Sequence, residues 1–588
     1  MPIDLPLPRT RTEQIDRDEL QAEPVAHAAT LSAQRDPGVS LLSPIDWMCM
    51  ALGLLLSLVI SYVFSHKRIF WEDEMLGWML LRDPSWHHMV AAWKLGADGG
   101  GFGYYFTGRL WFHVFGSSEV SLRMYSAACL GLAFVVLWRI ARGFYPIWVV
   151  FFALFNTWFC STYLVVHMAE GRYYGLLTLS ATLVTWLTMV ATRKPRRTAA
   201  YLYPLTFLLH AFLTSSHQLG IVYSAFLLGS MVVLDRSEGR TRLGLYACAS
   251  AAWLLLIPER EAIANSARVG TPHFWTVPPT FMNLVGAYTG FSAEVAIVLL
   301  LLAIALVISL RRSPRGWRET LTCAYRARRP VWVVALTFLL IPVAYLVEGI
   351  FGTWLFVNRY LLPVTIAQVF LTAEAVCLID WSIFVPSPLR RRAWTRPIAV
   401  VCFSLLLLSW VFGHLRRFVI PPSDNYTDVL TAMLPKGLPV VCEDAWTFAE
   451  LIGRQHDSGV DYVYLLDWPY AIDPKAPRLE VTQYHLMENW RKAGYFSKSI
   501  KYRDPFLSAN KEFLVINGAV DPMPTGAPRT GNPLIERFAR TPGYEVRRYA
   551  VLHRDQYRDT VYLVCRMSCD DRPELADPIE RSFPGSAK

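Results

Sequence analysis

Residues 44–74 read PIDWMCMALGLLLSLVISYVFSHKRIFWEDE. The apolar run from 44 to 64 is long enough to cross a bilayer core, which takes roughly 20 helical residues. It gives way almost at once to Trp71-Glu72-Asp73-Glu74. An acidic cluster where a span meets water points to chemistry or ion handling. The aromatic-rich residues that follow, up to about 118, far exceed what a turn between two spans needs.

The rest of the chain fits this beginning. Its 588 residues are 53% apolar and 18% charged, with 21 Trp, a composition too apolar for an ordinary soluble enzyme. Further apolar stretches lie near 120–138, 144–163, 173–192, 199–216, 217–235, 243–258, 293–310, 330–348, 360–381 and 398–414, so about eleven spans are expected. Segment 1–43 is polar and contains Pro, which predicts a disordered cytosolic tail; no apolar run starts before about 45, so no cleavable leader is expected.

Charge sets the orientation. With the N-terminus inside, the cytoplasmic loops carry Arg139 and Arg142; Arg193, Lys194, Arg196 and Arg197; Arg236, Arg240 and Arg242; seven arginines from Arg311 to Arg329; and Arg390 to Arg392 with Arg396. The alternate loops are much poorer in Lys and Arg, as the positive-inside rule requires. These loops account for most of the net charge of +10, so no nucleic-acid partner is needed. An odd number of spans puts residues 415–588 outside.

The outer loop 65–118 has helical periodicity. Trp86, Met89, Val90 and Trp93 fall on one face, and Tyr104 to Phe112 mixes aromatic bodies with polar tips. Both suit helices lying in the membrane interface. Gly99-Gly100-Gly101-Phe102-Gly103 between them has neither a preceding strand nor a following Gly-Lys-Ser/Thr, so it reads as a hinge and not as a phosphate loop. The tail from 415 alternates strands near 439–443, 460–466, 513–517, 544–551 and 559–566 with helices near 445–455, 484–496 and 532–540, the pattern of a small α/β domain. Cys442, Cys565 and Cys569 are its cysteines, and two of the three could pair if the compartment is oxidising.

Ionisable residues gather at the outer ends of spans. They are Glu72, Asp73 and Glu74; Glu170, Arg172 and Tyr173; and Arg359 with Tyr360. Interfacial anchoring is the bland reading of each set taken alone; their occurrence on one side beside a surface-lying loop favours a site. His66, His167, His210 and His217 lie near the same side, but no metal-ligand spacing is evident, so a divalent-cation requirement stays open. Glu119 and Arg123, four apart, read as a helix-stabilising pair.

Together these residues resemble the GT-C superfamily of integral-membrane glycosyltransferases, in the branch of the protein O-mannosyltransferases and the aminoarabinose transferase of lipid A. The likeness spans 44–414. It rests on Trp71-Glu72-Asp73-Glu74, on Tyr104-Tyr105 through Phe115-Gly116-Ser117-Ser118-Glu119 and Leu122-Arg123, on Glu170-Gly171-Arg172-Tyr173-Tyr174-Gly175, and on Arg359-Tyr360-Leu361-Leu362-Pro363. The resemblance implies a polytopic catalytic domain in a bacterial cytoplasmic membrane, with Asp73 as catalytic carboxylate and Glu74 and Glu170 as its acidic companions. Arg359 and Arg172 would contact a donor phosphate, and Tyr104, Tyr105, Tyr173, Tyr360 and His217 would line the substrate site. Where relatives carry Pro-Pro or Lys-Pro before the tyrosines, this chain has Gly99-Gly100-Gly101; Lys94 and Arg109 are the nearby cations that could replace such a lysine.

No cytosolic sugar nucleotide reaches an outer-face site, so an activated sugar must arrive through the membrane on a polyprenyl phosphate. A lipid, glycan or protein hydroxyl would accept it. That transfer needs a base at the hydroxyl and a cation at the leaving phosphate, and attack opposite the phosphate inverts the anomeric carbon. The rival from another class is a transporter or flippase, for which Glu374 inside a span would be the key residue. Beyond the strand ends of the tail, Glu443, Asp444, Trp446, Asp467 and Trp468 are candidates for acceptor recognition.

Overall fold

A computed structural model describes residues 42–65, 70, 72–193, 200–269, 278–314, 316–352, 356–381, 404, 408, 426–453, 459–472, 478–517, 533–554, 557–569 and 579–582. Seven described helices are long and apolar enough to cross a membrane: Pro44–Ser65, Glu119–Ala141, Tyr174–Thr192, Gly220–Ser237, Ala293–Arg312, Arg329–Phe351 and Asn358–Leu378. The chain is an integral membrane protein. Its helix ends follow local chemistry: Ser118 caps Glu119–Ala141 by accepting the Ser121 N–H at 3.1 Å, and Arg311 and Arg312 close Ala293–Arg312 against its negative end.

The expected count of eleven spans is met only in part. The stretch 144–163 is two helices, Ile147–Phe159 and Thr162–Met168, bent by 69°, because Ser161 leaves the first helix and caps the second through the Leu164 N–H. Leu202–Ser216 has 15 residues, short for a span. The stretch 243–258 breaks into Leu243–Ala251, a 3-10 turn and the polar helix Leu256–Val269. Apart from residues 404 and 408, stretch 398–414 lies outside the described residues, as do Trp71 and His66.

Two carboxylates buried among the spans, Asp46 and Glu374, are held by arginines. Asp46 accepts from Arg142 Nε at 2.5 Å and Trp138 Nε1 at 3.0 Å. Glu374 takes both arms of Arg328 at 2.7 and 2.6 Å, with the Tyr145 hydroxyl at 2.8 Å. A transporter needs an ionisable group free to exchange partners; Glu374 is held by three hydrogen bonds.

The tail forms one seven-stranded sheet, order β3-β2-β1-β4-β6-β5-β7, from Val440–Cys442 (β1), Tyr462–Leu466 (β2), Ile500–Tyr502 (β3), Glu512–Asn517 (β4), Tyr544–Arg554 (β5), Tyr557–Arg566 (β6) and Ile579–Ser582 (β7). β1 to β4 are parallel, as their helical crossovers require, and β4, β6 and β5 are antiparallel neighbours. Alternation divides its two faces: Val441, Val463, Phe513 and Val515 pack beneath Phe506 and Phe538, while Val440, Tyr464, Leu514 and Ile516 join the main core. The cysteine pair is Cys565–Cys569, with Cys442 buried and free in β1.

This α/β domain docks on the loop 65–118, which folds as helices Glu72–Arg82, Trp86–Lys94 and Phe102–Phe115. Helix Ala445–Gly453 lies on Glu72–Arg82 so closely that a Cβ on Gly453 would meet Met75 Sδ at 2.6 Å. Met89 and Trp93 are buried, with Trp86 left exposed, so the apolar face of that helix is covered mainly by protein.

Candidate active site

Two distant chain segments converge on Asp73. It lies in the first turn of Glu72–Arg82, where a carboxylate is favoured by the helix N-terminus, and its side chain is 22% exposed. Arg359 Nη2, from the 3-10 turn Asn358–Val364, stands 3.2 Å from Asp73 Oδ2. Arg172 Nη2 is 4.0 Å from the same oxygen, and Arg172 Nη1 donates to the Asp73 carbonyl. Asp73, Arg172 and Arg359 are thus brought together from positions 99 and 286 residues apart in sequence.

Glu74 turns the other way. Fully buried, it receives Arg123 Nε at 2.8 Å, Arg123 Nη2 at 2.7 Å and the Gly171 N–H at 2.6 Å. Tyr104, buried as well, donates to the Gly171 carbonyl at 3.0 Å. Glu74 and Tyr104 therefore fix both sides of Gly171, and with it the position of Arg172. Arg123, expected to pair with Glu119, spends its planar fork on the buried Glu74, with the half-buried Glu119 a weaker attraction beside it. Glu170, the other expected acid, is bound to His167 Nδ1 and is 3% exposed.

Asp98 was not anticipated. It is 3% exposed, receives Arg172 Nη1 at 3.0 Å and the Tyr105 hydroxyl. Burial alone would depress the Arg172 guanidinium, but Asp98 and Asp73 override it and hold the group well above its ordinary value. Burial first, and then Asp98, push the Tyr105 phenol up, so it stays a donor. The signal for Asp98 was its place directly before Gly99, in a run read as a hinge. None of Gly99 to Gly103 has positive φ; a Cβ on Gly101 would lie 2.2 Å from the Ser215 carbonyl, and one on Gly103 2.5 Å from Ser215 Oγ. These glycines serve close approach, which seats the loop against His217.

Aromatic rings form one side of the site. Tyr173 stacks on His217 at 4.4 Å between centroids, His217 lies 5.1 Å from Tyr360, and Tyr174 is 4.6 Å from Tyr173 and 6.1 Å from Tyr360. Arg172 covers the Tyr173 ring at 4.7 Å and Arg359 the Tyr174 ring at 6.0 Å. His217 Nδ1 accepts the Leu219 N–H at 3.1 Å, which leaves Nε2 as the protonated nitrogen. His217 Nε2, the Tyr174 hydroxyl and Arg172 Nε are buried donors with no hydrogen-bond partner among the described residues.

The remaining candidates lie elsewhere. Arg109 donates to the Asp83 carbonyl at 2.7 Å and Lys94 sits 3.9 Å from Glu261, so neither reaches Asp73. No group of three or more His, Cys, Asp or Glu among the described residues could hold a metal ion. In the tail, Asp444 caps helix Ala445–Gly453 through the Thr447 N–H at 2.8 Å, and Asp467 is paired with Arg503 and Arg537 in a cleft beyond β1 and β2.

Solved structures resemble this arrangement over most of its length. ArnT from Cupriavidus metallidurans bound to undecaprenyl phosphate matches with a TM-score of 0.53 at 12% identity, covering 91% of this chain and 100% of that one. The fold is that of ArnT. The same ArnT in the apo state matches with a TM-score of 0.50 at 10% identity, over 87% of this chain and 97% of its own. No protein-family profile and no curated protein matches the chain. The ArnT likeness extends through the α/β domain as well as the helices, since coverage above nine-tenths cannot be reached by residues 44–414 alone.

Proposed function

We propose that this protein is a membrane glycosyltransferase that moves a sugar from a polyprenyl-phosphate donor to an acceptor hydroxyl on the outer face, with inversion. The observation that carries the reading is the set of unpartnered donors beside Asp73: His217 Nε2, the Tyr174 hydroxyl and Arg172 Nε, next to the cation Arg359. Buried donors without acceptors call for a ligand rich in acceptor oxygens, and a phosphate diester linked to a sugar is one. The undecaprenyl phosphate bound by ArnT from Cupriavidus metallidurans supports a lipid of that class.

In this reading the phosphate takes the forks of Arg359 and Arg172 and releases Asp73 from its pair with Arg359. Asp73 then accepts the proton of the acceptor hydroxyl as its oxygen attacks the anomeric carbon. The bond from that carbon to the phosphate oxygen breaks, and the electrons leave with the polyprenyl phosphate, whose added negative charge the two guanidiniums stabilise. Tyr173, Tyr360 and His217 would bound the sugar, and Tyr105 would act through Asp98. Glu74 and Glu170 are assigned to holding the 167–172 segment and not to proton transfer. In the same reading residues 44–414 would be the catalytic domain and 415–588 a cap on the outer side. The test is transfer from radiolabelled polyprenyl-phosphate sugars by the protein reconstituted in vesicles. Transfer is expected from one or more of them, and a wild-type protein that transfers none of the sugars offered would overturn the reading.

A further inference from the structure

We propose that the α/β domain completes the candidate site from outside it: Trp490 and a positively charged His88 are positioning residues that hold the Leu95–Asp98 turn and, through it, the Asp98–Arg172 pair. Its catalytic consequence rests on the glycosyltransferase reading; its structural part does not.

Helix Trp86–Lys94 ends in a turn with Gly96 at φ +81°, where the Gly96 N–H reaches the Trp93 carbonyl at 2.9 Å and the Ala97 N–H reaches Ala92 at 3.2 Å. The next residue is Asp98. From the α/β domain, the buried Trp490 donates its indole N–H to the Ala97 carbonyl at 2.8 Å, and Asn489 reaches the Gly96 carbonyl at 3.5 Å. The turn that presents Asp98 to Arg172 is therefore fastened by the other domain.

The same helix is fastened at its first turn. Asp83 receives the Ser85 N–H at 2.7 Å, His88 Nδ1 at 2.5 Å and the Tyr495 hydroxyl of the α/β domain. His88 Nε2 lies 2.7 Å from the Ala493 carbonyl, and its ring stacks on Tyr495 at 4.6 Å. A carbonyl oxygen only accepts, and so does an ionised carboxylate. Both nitrogens of His88 must then donate, and an imidazole does that only as the cation.

The surroundings agree. The Ala493 carbonyl and, against the opposing effect of burial, Asp83 hold His88 above its ordinary value. Burial would raise Asp83, but the bonds from Tyr495, Ser85 and His88 bring it below the usual carboxylate range. The other charged neighbours do not compete. Arg109 is spent on the Asp83 and Pro84 carbonyls, His87 is exposed, Arg491 lies over Tyr502, and Lys492 pairs with Glu488. Because the folded value of His88 is raised, its stabilisation is full at low pH and is lost as pH rises through that value. Deprotonation removes one donor, so either the Asp83 bond or the interdomain bond to Ala493 must break.

The test is hydrogen exchange of the full-length protein in detergent, corrected for intrinsic rates, at about pH 6 and about pH 9. In the wild type, protection of the amides in 95–101 is expected to fall about tenfold across that interval, the weight of one charge-assisted hydrogen bond. His88→Gln should show the lower protection at both pH values, and Trp490→Phe, which keeps the ring and loses the donor, should lower it throughout. Strand β4 should keep its protection in every case, which separates loosening of the turn from unfolding. Equal protection of 95–101 at both pH values, or in Trp490→Phe, overturns the proposal. In the transfer assay Trp490→Phe should lower kcat. If exchange behaves as stated while even the wild type transfers no sugar, the catalytic reading fails and the clamp stands.

Discussion

Asp73 and Glu74 are neighbours in sequence and opposites in structure. Glu74 is fully buried and takes three N–H bonds, two from the fork of Arg123 and one from Gly171. Asp73 is 22% exposed and meets its cations one at a time, Arg359 at 3.2 Å and Arg172 at 4.0 Å. A fully buried carboxylate that already accepts three N–H bonds is closed to a substrate, whereas a part-exposed one held by single contacts can exchange them for a ligand. Under the proposed function, burial and coordination, more than residue type, divide this acidic cluster into a scaffold half and a reactive half.

The comparison breaks most visibly at its two acids. Asp73→Asn keeps the shape and removes the base, so transfer should fall by about 10²–10⁴-fold, the usual weight of a general base, with the melting temperature unchanged. Wild-type turnover in that variant would refute the division. Glu74→Ala should act on the fold: leaving Arg123 buried without its partner is expected to cost about 3–5 kcal/mol, read as a lower melting temperature and poor yield. A Glu74→Ala protein that melts like wild type but transfers no sugar would move Glu74 into the reactive half. A smaller effect is expected of Asp98→Asn, which keeps a hydrogen-bond acceptor for Arg172 but not the charge. Donor use should fall about tenfold, and a full wild-type rate would detach Asp98 from the site.

Much of this was legible in the sequence because its signals are local. Apolar runs predict spans, alternation predicts the sheet, and charged residues at span ends predict which segments meet at the outer face. Asp73, Arg172 and Arg359 fall at such ends, and the structure brings their side chains together. What the sequence could not show is which acid takes which base. Arg123 has Glu119 four residues away and a better partner at Glu74, 49 residues earlier; only packing decides between them. Asp98 escaped because glycines beside it suggest flexibility, whereas Gly101 and Gly103 are small so that the loop can press on Ser215. The span count was blurred where Ser161 bends a helix and where an apolar run passes into the polar helix Leu256–Val269, boundaries set by capping and not by hydropathy.

The finest test of the reactive half is Arg359→Lys, which keeps the charge and removes the planar fork. Arg359 reaches Asp73 with Nη2 and lies over the Tyr174 ring at 6.0 Å, which places its planar fork between the carboxylate and the aromatic side of the site. An ammonium supplies comparable charge at a point but cannot present two parallel donors. If Arg359 only balances the charge of Asp73, the lysine variant should match wild type at every donor concentration. If it also grips the donor phosphate, the apparent KM for the polyprenyl-phosphate sugar should rise about threefold to tenfold, the loss of one hydrogen bond of a bidentate pair. The KM for the acceptor should stay constant, because Asp73 keeps a cation beside it. A change confined to the acceptor would instead place Arg359 on the hydroxyl side of Asp73.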